Sequence, residues 1–191
     1  HLPSDNQKGI ALPTNDLSIH HLSFPDLEVL DFVWLAAREG CTGVGLFVND
    51  LGFGIPLVTE RNIAAVTSAL GQEGIKVSGT CDFVLLAAEG VEPHLPYLEL
   101  SARLGAKYAV AVAGDAEPAR AAHIVSQFAE KVGAFGMRLA MEFLFMTPGT
   151  PNLAVTNALV NTVAADNIDV LLDITHFMRT NGTLEQLRNM D

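Results

Sequence analysis

Strand-like apolar runs recur along this chain at a nearly constant interval. Their centres fall near Ile19, Gly45, Val77, Ala109, Ala140 and Leu171, and from the second onward they stand 32, 32, 31 and 31 residues apart. That length holds one strand, one helix and their connections. Strands alternating with helices at this interval demand a parallel sheet with helices packed outside it. The segments between the strands repeat with helical periodicity. Leu30, Val33, Trp34 and Ala37 form the first apolar face, Ile63, Val66 and Leu70 the second, and Tyr97, Leu100 and Leu104 the third. Ala121, Val125, Phe128, Val132 and Phe135 form the fourth, and a fifth helix is expected over 152–165. Thr59 is the expected N-cap of the second helix. Thr183-Leu184-Glu185-Gln186 reads as a capping Thr that opens a sixth. The third strand is expected over 75–81, with a loop over 82–92. Residues 1–15, which carry Pro3 and Pro13, read as an irregular lead-in.

A doubly wound sheet and a (β/α)8 barrel both satisfy this alternation, and two observations favour the barrel. No glycine fingerprint stands at the first strand–helix turn, where a dinucleotide fold requires one. Polar residues also gather where strands end: His20, His21, Asn49, Asp50, Asp82, Asp115, Glu142, Asp173 and His176. Barrel enzymes build their sites at that face. Lys76, Lys107 and Arg138 instead begin strands and belong to the opposite, stabilising face. A full barrel takes about 250 residues. The expectation is therefore an α/β chain forming a single domain over 1–191, an incomplete (β/α)8 TIM barrel of about six β/α units that lacks units seven and eight. Such a chain is a fragment of a longer polypeptide, a barrel completed in another way, or an open sheet.

Charge narrows the partners. The 22 acidic and 11 basic residues leave a formal net charge of −11, which argues against a general nucleic-acid binder. Cys41 and Cys81 fit no metal spacing and no disulfide framework, so they read as buried thiols. No apolar run reaches the ~18 residues of a membrane span, and no signal peptide is visible. A cytoplasmic protein with no membrane partner is expected.

The stretch from Asn167 to His176 carries the most chemistry. Val170-Leu171-Leu172 reads as a buried strand that delivers Asp173 at its end and His176 three residues later. Buried carboxylates are costly unless paired or bound to a cation. Asp173 and His176 are thus a metal or acid–base pair, or else a loop cap and a solvated imidazole. Glu142 ends the preceding strand. Carboxylates on adjacent parallel strands stand some 5 Å apart at the backbone, where a divalent cation relieves their repulsion. With His176 the set suits Mn²⁺, Mg²⁺, Co²⁺ or Zn²⁺; the alternative is a structural acid paired with a base. Strand alternation sends one of His20 and His21 inward and the other outward; one is a substrate contact or a group supporting one, the other a packed or exposed imidazole. Phe47, Phe143, Phe145 and Met146 read as walls of core or pocket, Asp115 as a helix N-cap, and His94 and His123 as surface positions.

Met141-Glu142-Phe143 on strand five and Leu172-Asp173-Ile174-Thr175-His176 on strand six, with the first unit from Leu17 through Leu46, resemble the xylose isomerase-like TIM barrels. These include sugar phosphate isomerases/epimerases, ketose 3-epimerases, related dehydratases and endonuclease IV. The resemblance implies that Glu142 and Asp173 are metal ligands, that Glu142 moves a proton at carbon, and that His176 contacts substrate or metal. It implies that Arg179 approaches a substrate oxygen or carboxylate. It also implies a divalent-metal-dependent sugar (phosphate) isomerase or epimerase, or a related dehydratase or lyase. Such an enzyme acts on a small polyhydroxy or keto substrate through a metal-stabilised enediolate, often as a homo-oligomer. The family's further ligands on strands seven and eight have no counterpart here, which supports a rival reading as a non-catalytic binding or assembly subunit. An endonuclease IV-like nuclease is disfavoured, because Phe47 and Cys81 stand where that enzyme places histidines on strands two and three.

Overall fold

The computed structural model describes residues 17–188; the lead-in expected over 1–15 lies outside them. Six strands alternate with helices in the order β1 (Ser18–His20), α1 (Val29–Arg38), β2 (Gly43–Phe47), α2 (Ile63–Glu73), β3 (Lys76–Leu85), α3 (Leu95–Arg103), β4 (Tyr108–Ala113), α4 (Pro118–Ala134), β5 (Arg138–Glu142), α5 (Leu153–Val163), β6 (Ile168–Leu171), α6 (Ile174–Arg179) and α7 (Leu184–Arg188). All neighbouring strands pair in parallel, and their order in the sheet is their order in the chain. Among the described residues, β1 and β6 are the two edges of the sheet. None of the helices described is long and apolar enough to cross a membrane.

Local chemistry accounts for several boundaries. Pro118 opens α4 with its fixed φ, and the Glu117 carboxylate accepts from the N–H groups of Ala119 and Arg120. The Asn152 side chain caps α5 by accepting from Val155 N–H. Thr183 and Gln186 exchange side-chain and backbone bonds as the expected capping box. Thr59 does not cap α2: the helix starts at Ile63, and the Asn62 side chain instead accepts from Thr59 N–H and ties the preceding turn.

The main core lies between sheet and helices. Phe32 and Val33 of α1, Val66 of α2, Leu98 of α3 and Phe128 of α4 are fully buried there, with Val44, Leu46, Phe83, Leu85 and Met141 from the strands. Trp34 was expected on this face but is 48% exposed, because Phe32 occupies the inward turn of α1 instead. His94 is not a surface residue either: it packs edge-on between Phe83 and Phe128 at 5.7 and 5.5 Å. β3 continues four residues beyond its expected end, since Phe83 and Leu85 still have core to fill. β6 is half-buried rather than buried on both faces, as befits an edge.

The inner face of the sheet carries a second, smaller cluster of Phe47, Ile55, Cys81, Val110 and Ala140, with Tyr108 and Leu171 packed against it. A cavity of about 290 Å³ opens on this face beside His20, Gly45, Gly79, Tyr108 and Leu171. Gly45 is required here, because the His20 ring lies where its Cβ would stand. At the start of the strands Arg138 makes a bidentate pair with Asp169, at 2.6 and 2.8 Å, and Lys107 lies over the Tyr108 ring. These groups belong to the stabilising face, as their places at strand starts imply.

Candidate metal centre

The Asp-x-x-His spacing is the geometry of a helix start. Asp173 is the N-cap of α6, and its Oδ1 accepts from His176 N–H at 2.8 Å. His176 is therefore the third residue of the helix. Helical side chains lean toward the N-terminus, which returns the imidazole over its own cap. Glu142 is the last residue of β5 and stands in register with Leu171, so Asp173 lies two residues past the point directly opposite it. The cap closes that offset. One oxygen each from Glu142 and Asp173 and one ring nitrogen of His176 lie within 4.8 Å of one another.

His176 Nε2 stands 3.9 Å from Glu142 Oε1, and both side chains are mostly buried. The other ring nitrogen, Nδ1, is buried with no partner among the described residues. A buried imidazole nitrogen without a partner, beside two carboxylates, is the donor set that a divalent cation satisfies. Burial, followed by the charges of Asp82 and Asp173, pushes the Glu142 carboxyl up to about 7.

That shift makes a measurable prediction. The native state holds the Glu142 proton between the ordinary carboxyl value of 4.5 and about 7, where the unfolded chain has released it. The stability that this proton confers is present below pH ~4.5 and lost as pH rises through ~7. The difference in metal-free stability between wild type and Glu142→Gln should therefore change by about 3 kcal/mol from pH 4.5 to pH 8 in the direction that weakens wild type. Urea midpoints of the two proteins across that range measure it. Taking the difference removes the opposite contribution of His20, which burial and His21 push down to about 4.

The other expected site residues are dispersed. His20 points inward and lines the inner cavity. Its Nδ1 accepts from Leu22 N–H, which leaves the neutral ring to donate from Nε2 to Cys81 Sγ at 3.0 Å. His21 points outward, stacks on Phe32 at 4.5 Å and donates to the Leu27 carbonyl. Arg179 lies exposed one turn beyond His176 on α6. Phe143 is buried under α5 and α6, whereas Phe145 and Met146 are exposed after β5.

Asp82 was expected at a strand end but not within the site. The ladder between β3 and β4 shifts register between Thr80 and Phe83. Thr80 bonds Ser101 of α3, and Phe83 packs on Phe128 of α4, so both face the helices. Two residues, Cys81 and Asp82, fall between them where strict alternation allows one. Cys81 joins the inner cluster, and its thiol beside Asp82 pulls that carboxyl down against the larger upward push of burial. Asp82 acts electrostatically on Glu142 and is acted on by His176. Asn49, just past β2, donates to the Asp82 carbonyl at 2.7 Å. A bulge cannot be read from composition or periodicity, so no signal in the chain marked Asp82 as inward-facing.

No family model matches the sequence, and no curated protein matches it by sequence. Solved structures do match. A xylose isomerase domain-containing protein from Salmonella typhimurium LT2 superposes with a TM-score of 0.82 at 18% identity, over 96% of this chain and 70% of that one. The IolI protein, solved with a bound zinc atom, gives a TM-score of 0.78 at 17% identity, over 92% of this chain and 69% of that one. A D-psicose 3-epimerase, solved in the presence of D-fructose, gives 0.72 at 15%, over 91% and 68%. These proteins carry the same parallel run of strand–helix units on which Glu142, Asp173 and His176 are displayed here. Residues 17–188 thus have the fold of the xylose isomerase-like TIM barrels, six of whose strand–helix units they supply.

Proposed function

We propose that this chain carries the metal and proton-transfer groups of a divalent-metal-dependent sugar isomerase or epimerase acting beside a carbonyl of a small polyhydroxy substrate. The observation that carries this reading is Glu142, a mostly buried carboxylate whose proton affinity is raised to about neutrality beside Asp173 and His176. A general base works best when its pKa lies near the working pH. Glu142, Asp173 and His176 would hold the ion, which when bound supplies positive charge to a substrate oxygen. Glu142 would take and return the proton at the carbon next to that oxygen. His176 and Arg179 would orient substrate hydroxyls, and His20, on the inner face, would border the substrate's path. The zinc in IolI and the ketose with the epimerase support both halves of the reading.

Solvent exchange tests it without knowledge of the final product. In D2O with Mn²⁺, a panel of unphosphorylated and phosphorylated ketoses should show metal-dependent deuterium incorporation next to the carbonyl, read by proton NMR. Glu142→Gln should abolish the incorporation while retaining the fold. Incorporation that persists in that variant would remove Glu142 from its role. That β1 and β6 each lack a second neighbour among the described residues favours a second reading, a binding or assembly subunit. Absence of exchange with every ketose, together with stable self-association, would favour it.

A further inference from the structure

The cation reading, on which this inference rests, leaves a carboxylate unused. Asp82 lies near enough to Glu142 and His176 for their charges to act on one another, and Asn49 donates to its backbone carbonyl. The register shift between Thr80 and Phe83 turns it onto the inner face instead of toward α3 and α4. An acid there is costly, because it places negative charge near Glu142 with no Lys or Arg bonded to either group among the described residues. A second observation points the same way. Asn49 is 8% exposed, and its amide N–H is committed to the Asp82 carbonyl. That bond fixes the orientation of the amide, so its oxygen cannot be exchanged for its nitrogen. Asn49 Oδ1 is left buried with no partner among the described residues. A buried acceptor on the strand beside a half-buried acid calls for a donor, and none of the described residues donates to the Asn49 oxygen.

We infer that the cation site extends to the ends of β2 and β3, where Asp82 and Asn49 Oδ1 accept hydrogen bonds from the water that a bound Mn²⁺ or Mg²⁺ retains. Asp82 lies outside the set of atoms within 4.8 Å that Glu142, Asp173 and His176 form, which makes it a partner of the hydration water and not of the ion itself. Such ions shed their waters reluctantly and keep several when protein ligands are few. Three protein groups leave room for them. The Cys81 thiol, adjacent to Asp82 in the bulge and linked to the His20 ring at 3.0 Å, is a positioning residue.

Calorimetric titration of the metal-free protein with Mn²⁺ at pH 8 tests this. Asp82→Asn should weaken Mn²⁺ binding about 10- to 100-fold, the range for groups that orient a metal's ligands. Its metal-free melting temperature should rise, because one of the crowded negative charges is gone. Asp82→Glu, which keeps the charge, should recover most of the affinity, and Asp82→Ala should reproduce the loss if Asn perturbs the bulge. A merely structural Asp82 gives the reverse pattern: lower melting temperature with unchanged Mn²⁺ affinity. That pattern overturns the inference and leaves the three-residue centre intact. Failure of wild type to bind Mn²⁺ overturns the cation reading and this inference together.

Discussion

Asp173→Asn should remove Mn²⁺ binding and metal-dependent turnover while leaving the fold in place. Two roles meet at this carboxylate, and the substitution separates them. As a cap, Asp173 Oδ1 accepts from His176 N–H, and Asn caps about as well as Asp. The start of α6 should therefore survive, whereas Ala would cost about 1 kcal/mol there. As a ligand, Asn lacks the charge that offsets a divalent ion. Loss of groups that only orient ligands costs about 10- to 100-fold in affinity, so loss of a ligand should exceed roughly 100-fold. Mn²⁺ titration with thermal unfolding in parallel measures both roles. An Asp173→Asn protein that binds Mn²⁺ like wild type would place the ion elsewhere, and one that unfolds would make Asp173 a purely structural cap.

Phe128→Ala should be the most damaging core truncation. The ring is fully buried on α4, with its centroid 5.2 Å from Phe83 of β3 and 5.5 Å from the ring of His94. Its neighbours are pinned by strand and helix backbone and cannot collapse into the space left. A loss of about 3–5 kcal/mol is expected from the urea midpoint at constant slope. Against a total stability of about 5–15 kcal/mol, that is a third or more. A loss below about 1 kcal/mol would mean that α4 contributes little to holding β3 and its bulge in place.

The spacing of strands made the six-unit parallel sheet legible, because each unit carries its own apolar period. The Asp173–His176 pair was legible for a related reason: an N-cap and the third residue of its helix are always three apart. Glu142 became legible only through the parallel order of β5 and β6, which brings residues 31 apart together. Features that depend on a neighbour's shape were hidden. Trp34 sits at the border of a helical stripe and could fall on either side of it. His94 follows a loop whose course no periodicity describes, so its insertion between two phenylalanines could not be read. Asp82 is legible as a polar residue at a strand end, but its turn toward Glu142 depends on the slipped β3–β4 ladder, which no periodicity describes.

The sheet order has a consequence for how this chain acquires its shape. Every strand pairs only with the strand before or after it in the chain. No closure longer than about one strand–helix unit is needed to lay down any ladder of the described sheet. Loop-closure entropy grows with the logarithm of length, so each ladder meets nearly the same modest entropic barrier. Structure can therefore begin at any interior unit and spread toward both ends, much as in stacked repeats. The β3–β4 pair, flanked by β2 and β5, is the natural place to start. The ladder joining β5 to β6, and with it the meeting of Glu142 with Asp173 and His176, would then form late, on a scaffold already standing.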